Sequence, residues 1–206
     1  MIMKKLSCIL GLTALCWLAI SKAGAAESSR LDPEGYVRDW VMLAPIALPE
    51  TGSAADLILT EQIKGEAAFK PKDGDTIAVN GKPLSWKNVT APTNHFDFNA
   101  VLKTLNDHCA GYMVTYLECD REIPDVVMAV ASNDQGRIYF NGVDIYAVTE
   151  ARPLLLDSDK GRVTLKAGIN VIVFKIINEQ NSWQGAMRLL DKSGAPLKGL
   201  RVKQAP

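Results

Sequence analysis

From residue 36 onward the chain is a series of short apolar runs cut by turn dipeptides, without the long 3.6-residue periodicity of core helices. Turn signals fall at Asp73-Gly74-Asp75, Asn80-Gly81, Asn133-Asp134, Asn141-Gly142, Lys160-Gly161, Ala167-Gly168 and Ser193-Gly194. Short strands punctuated in this way predict an all-β fold, an antiparallel β-sandwich. Asn-Gly tolerates the positive φ angles of a type I′ turn, whose twist matches that of the strands it joins. Two hairpins are therefore expected, residues 76–79 against 83–86 and residues 137–140 against 143–146.

The strongest strand candidate is 170–177, Asn-Val-Ile-Val-Phe-Lys-Ile-Ile, apolar on both alternating faces except at Lys175. Such a run belongs in the middle of a sheet covered on both sides, and its β-branched content disfavours a helix. Further strands are expected at 126–131, 162–166 and 186–190. One short helix is expected at 99–107, with Val101, Leu102 and Leu105 on one face and Asp97 as its cap. No repeat, linker or low-complexity block divides the chain, so residues 36–203 read as one domain preceded by a flexible segment, 26–35.

Residues 1–25 read as an export signal: Lys4 and Lys5, an apolar run over 6–20, and Ala23-Gly24-Ala25 as the small-x-small cleavage site. The run is shorter than the ~20 apolar residues that span a bilayer. A lipoprotein anchored at Cys16 is the alternative, but Leu15 stands where lipoprotein processing prefers a small residue. The expected location is periplasmic or extracellular, with no membrane span after signal removal. The 23 basic and 23 acidic residues balance, and loss of residues 1–25 leaves 20 basic against 23 acidic. A mildly acidic protein lacks the basic footprint of a nucleic-acid binder. Cys109 and Cys119 flank a run, 111–117, that reads as a strand and would hold their sulfurs beyond the ~7 Å Cα separation a disulfide allows. Free buried thiols are expected.

Three stretches carry a family resemblance: 132–142 (Ser-Asn-Asp-Gln-Gly-Arg-Ile-Tyr-Phe-Asn-Gly), 165–176 (Leu-Lys-Ala-Gly-Ile-Asn and the apolar strand it opens), and Trp183 followed by Arg188-Leu189-Leu190-Asp191. Together with Arg38-Asp39-Trp40 as an entry strand, they resemble the galactose-binding-like jelly-roll modules found beside glycoside hydrolases and in secreted bacterial proteins. The resemblance covers about residues 35–203. It implies a jelly-roll sandwich, without catalytic activity, whose relatives often bind sugars through loops at one end. Its motifs are turn and core residues, so it speaks for fold more than for ligand.

Sugar recognition combines a flat aromatic surface with planar polar groups. Trp86, Trp183, Tyr146 and Tyr36 are the candidate platforms, and Arg137, Asp134, Asn181 and Gln184 the candidate polar contacts, with Trp183 foremost because of its polar neighbours. Asp73, Asp75, Asp157 and Asp159 lie in oxygen-rich turns that could supply a structural calcium, the one cofactor entertained. A zinc site from His95, His108 and Cys109 can be drawn but lacks a fourth ligand and metalloprotease spacing. No Gly-x-Ser-x-Gly elbow, Walker loop or Cys-x-x-Cys occurs, and no carboxylate pair stands out, so an enzyme is not expected. The expected partner is a carbohydrate. The alternative is an envelope protein bound by the same loops, with no sugar ligand.

Overall fold

The computed structural model describes residues 28–206. The export signal expected over 1–25 lies outside the described residues. The chain first lays down β1 (Asp39–Ala47), helix α1 (Ala54–Leu59), a 3₁₀ turn (Glu66–Ala68), β2 (Thr76–Val79), β3 (Lys82–Ser85), β4 (Lys87–Thr90), β5 (Phe96–Asp97) and α2 (Phe98–Leu102). It continues with β6 (Cys109–Cys119), β7 (Ile123–Asn133), β8 (Gly136–Phe140), β9 (Val143–Val148), β10 (Asp159–Leu165), β11 (Gly168–Asn178), β12 (Gln184–Leu190) and β13 (Arg201–Lys203).

The strands form an all-β antiparallel sandwich. The larger sheet has the order β4-β1-β6-β11-β8-β9, and β13 pairs with the part of β6 that β1 does not reach. The smaller sheet has the order β10-β7-β12-β5. Strand β11 lies in the middle of the larger sheet, and its period-2 pattern explains why. Ile172, Phe174 and Ile176 enter the core between the sheets with Trp40, Met113 and Trp183, while Val171, Val173 and Ile177 enter a second core on the opposite face. That second core is roofed by segment 48–86, which supplies Leu57, Ile58, Ile63 and Trp86. Both Asn-Gly hairpins form as expected: Val79 faces Lys82 in β2–β3, and Phe140 faces Val143 in β8–β9.

Lys175 is fully buried beneath that roof. Its Nζ donates to Glu66 Oε1 at 2.6 Å and to the Thr60 carbonyl at 2.7 Å. The Tyr139 hydroxyl also donates to Oε1 at 2.6 Å, while Oε2 accepts from the Tyr112 hydroxyl and from the Gln62 backbone N–H at 3.0 Å. Every Glu66 oxygen is thus satisfied, as a buried carboxylate requires. Burial drives the Lys175 pKa down, against the charge of Glu66. The network fastens the roof to the sheet, helped by Tyr116, whose hydroxyl donates to the Pro71 carbonyl at 2.6 Å.

Several local expectations need correction. Asp97 caps α2 as expected, its side chain accepting from Ala100 N–H, but the helix spans only Phe98–Leu102 because Lys103 turns left-handed at φ 57°. A second helix, α1, was not expected; Ser53 caps it by accepting from Asp56 N–H. Lys160-Gly161 is no turn, since both residues lie inside β10 facing Ala129 and Met128. In segment 28–36, Ser29 and Val202 exchange backbone hydrogen bonds at 2.9 Å, and Tyr36 N–H donates to Asp32 Oδ1 at 2.8 Å. Cys109 and Cys119 sit free and buried at opposite ends of β6, and burial pushes the Cys109 thiol up to about 12, with Asp107 adding to it.

Candidate functional site, a polar cleft at one end of the sandwich

Antiparallel pairing brings the end of β7, the start of β8 and the end of β11 to one end of the sandwich, where Gly136 faces Ile176 and Asn178 faces Cys109. The β7–β8 link therefore meets the β11–β12 loop. Asp134, almost wholly buried, joins them: its Oδ2 accepts the Glu179 backbone N–H at 2.9 Å, and backbone N–H groups of Arg152 and Gln180 also point at it. Burial raises its pKa above the ordinary carboxylate value, outweighing those amides, and the nearby Glu179 charge adds to the rise. Asp134 is thus a clamp across three loops.

Over this clamp lies a cleft of about 500 Å³ lined by Ser53, His108, Gln135, Thr149, Glu179 and Gln180, among others. A second cleft of about 580 Å³ adjoins it at His108 and is lined by Pro45, Val79, Leu84 and the exposed Leu105. Both fall in the size range of small-molecule sites. Within the first cleft Gln135, 1% exposed, donates from Nε2 to Glu179 Oε1 at 2.6 Å, and its Oε1 has no partner. Two further buried amide oxygens without partners, Asn133 Oδ1 and Asn178 Oδ1, lie at the last residues of β7 and β11.

Two polar side chains of the cleft are engaged in local bonds. Ser53 Oγ donates to Asp56 Oδ2 at 2.7 Å and accepts Asp56 N–H, which commits it to capping α1. His108 Nε2 lies 2.9 Å from the Pro49 carbonyl, so that nitrogen carries the proton.

The structure separates most of the residues singled out from sequence. Trp183 is not exposed: it is fully buried, stacked on Phe98 with centroids 4.1 Å apart, and its indole N–H donates to the Ile176 carbonyl. Its polar neighbours are the loop around it, while the ring fills space left by Gly111, where an added Cβ would come within 2.6 Å of both rings. Trp86 is buried in the roof core against Phe69, and Tyr36 is buried beneath Arg188. Tyr146 is half-buried at the β9 edge, where its hydroxyl donates to Asp159 at 3.0 Å. Among the described residues no aromatic side chain is exposed.

Of the polar candidates, Asp134 is at the cleft. Asn181 and Gln184 lie on the adjoining loop, where Asn181 N–H donates to Asp107 and Gln184 Nε2 to Asp97. Arg137 faces the roof instead, pairing with Asp144 at 2.6 Å and donating to the Leu59 carbonyl at 2.5 Å. The four calcium candidates do not converge. Asp73 and Asp75 accept backbone N–H groups of Asn88 and Lys72, while Asp157 and Asp159 pair with Arg188 and Arg152. Among the described residues no group of three or more His, Cys, Asp or Glu side chains could hold a metal ion, the set His95, His108 and Cys109 included.

Gln135, Glu179, Gln180, Ser53 and Thr149 were missed. Their one sequence signal is the amide-rich composition of 133–135 and 178–181, directly after long strands. Among the described residues no helix is long and apolar enough to cross a membrane. No protein-family model matches the chain, and no curated protein is similar to it.

Proposed function

We propose that this protein is a non-catalytic binding module of the galactose-binding-like jelly-roll type, exported from the cell, which holds a carbohydrate in the polar cleft beside Gln135 and Glu179. The observation that carries the reading is a cleft of small-molecule size at one end of the sandwich, walled by Gln135, Thr149, Gln180 and the exposed carboxylate of Glu179. Hydroxyl-rich ligands supply donors to such a carboxylate. Aromatic stacking has no role in it, because the aromatic rings belong to the cores; the aliphatic wall at Leu105, Leu84 and Pro45 offers the apolar contact instead. A glycan array probed with the exported chain tests the reading, followed by titration of the array hits against Gln135→Ala. Hits whose affinity falls at least tenfold in the variant support it, and silence across the array removes it.

A protein-binding role has one specific observation behind it. Edge strand β9 and the loop after it expose Val143 (62%), Ile145 (39%), Leu155 (68%) and Leu156 (37%). Apolar side chains along an unpaired strand edge favour partner strands. That reading gains if Val143→Lys with Ile145→Lys abolishes partner capture while Gln135→Ala does not.

A further inference from the structure

Away from the cleft, we infer that the seam between β9 and β10 receives an extended acidic segment of a partner protein, one apolar side chain of which fills the space over Gly161. Each of these strands ends its sheet: among the described residues β9 pairs with β8 alone and β10 with β7 alone, so the sandwich is open along this side. A slot of about 420 Å³ runs into the opening, lined by Met128, Val130, Ile145, Ala147, Gly161 and Val163 among others. Gly161 faces Met128 in the register, and Met128 belongs to the core between the sheets, against which Val163 also packs. The side chain that Gly161 lacks is therefore missing from the inner face. Nothing lies within 4 Å of where its Cβ would stand. Close-packed interiors leave few such gaps, and a glycine inside a strand often marks the approach of a ligand or another backbone. One end of the seam is closed, where the Tyr146 hydroxyl donates to Asp159 at 3.0 Å and Arg152 pairs with the same carboxylate.

Two observations select the occupant. Strand edges on both sides of the slot call for backbone donors and acceptors, which an extended peptide supplies by strand addition and an acyl chain lacks. The second observation is charge. Lys160 and Arg162 stand exposed on the outer face of β10, and among the described residues neither enters an ion pair. The acids of the two strands, Asp144 and Asp159, are already held by Arg137 and Arg152. This edge is therefore basic. A second copy of β10 laid antiparallel about Gly161 would set Lys160 opposite Arg162 twice, a like-charge pairing that opposes self-association. A partner strand with glutamate at alternate positions meets those two cations on the outer face, and its apolar residues then point inward to the slot.

The test is calorimetric titration of the full exported chain with three capped heptapeptides: Glu-Val-Glu-Leu-Glu-Val-Glu, the same peptide with lysine for every glutamate, and the same peptide with serine for every apolar residue. The acidic alternating peptide is expected to bind at least tenfold tighter than the other two. Its affinity should fall at least tenfold in Gly161→Val, whose side chain occupies the slot, and in Lys160→Glu combined with Arg162→Glu. Valine is a good strand former placed in open space, so the melting temperature of Gly161→Val should not fall, which separates loss of the slot from loss of the fold. No binding of the acidic peptide up to about 1 mM, equal affinity for the lysine peptide, or undiminished affinity in Gly161→Val each overturns the inference. Sedimentation of a dimer that Gly161→Val dissociates would put a second copy in the seam and overturn it as well. Glycan binding at the cleft is scored by Gln135→Ala, so neither result decides the other.

Discussion

Replacing Lys175 with methionine should be among the most destabilising single changes available to this chain. The side chain is fully buried, and among the described residues its ammonium is the only cation paired with Glu66, itself fully buried. Methionine fills most of the volume, so the loss is electrostatic: Glu66 keeps Tyr112, Tyr139 and Gln62 as donors but becomes an uncompensated buried carboxylate. Breaking a buried pair from one side costs about 3–5 kcal/mol. For a domain of this size that lowers Tm by roughly 6–20 °C. Removing Glu66 as well leaves the hydroxyls of Tyr112 and Tyr139 without an acceptor, at about 1–3 kcal/mol each. Lys175→Met, Glu66→Leu, Tyr112→Phe and Tyr139→Phe together remove every charge and hydroxyl of the site, and that variant should recover much of the loss, as apolar replacements of buried ion pairs do, short of the parent because the Thr60 carbonyl and the Gln62 N–H lose these partners. Urea unfolding followed by fluorescence of the buried Trp40, Trp86 and Trp183 gives each value, with hydrogen exchange reporting earlier opening of segment 57–71 in the single variant. A cost below about 1 kcal/mol for Lys175→Met would refute the reasoning that the pair is dry and carries the attachment of the roof.

Gly111→Ala places a Cβ 2.6 Å from the Phe98 and Trp183 rings, so it should cost about 1–3 kcal/mol in urea unfolding. Trp183→Ala should cost roughly 3–5 kcal/mol by emptying the inner core, and any binding it loses should track unfolding measured in the same buffer. Asp134 has a raised pKa in the folded protein, so its contribution to stability is present below about pH 3.8 and is lost as pH rises through the folded value. Asp134→Asn lacks that loss, and its Tm relative to the parent should therefore climb between pH 3.5 and 7 in calorimetric scans; a flat difference would contradict the raised pKa.

The architecture was legible because sheets announce themselves through period-2 burial and turn chemistry. The 170–177 run and both Asn-Gly hairpins carry that information locally, and β11, β2–β3 and β8–β9 follow from it. Trp183 was misplaced because its exposure depends on a partner far away in sequence: the gap above Gly111 is visible only once β6 lies beneath the loop. Lys160-Gly161 reads as a turn by composition, yet pairing with β7 draws it into β10 as an edge strand, where lysine and glycine are tolerated. Glu66 and Lys175 are 109 residues apart, and nothing in either neighbourhood announces that the roof brings them together. The cleft was hidden for the same reason. Its residues come from α1 and its cap, the α2–β6 loop, the β7–β8 link, the β9–β10 loop and the β11–β12 loop, and none belongs to a motif with chemistry of its own.

The most direct measurement of where this protein binds is a residue-resolved amide NMR titration with a glycan taken from the array. Binding at the cleft moves the signals of Gln135, Glu179, Gln180 and His108 together while those of Val143 to Val148 stay still. Shifts confined to the β9 edge, with Gln135 and Glu179 unmoved at saturation, would contradict it.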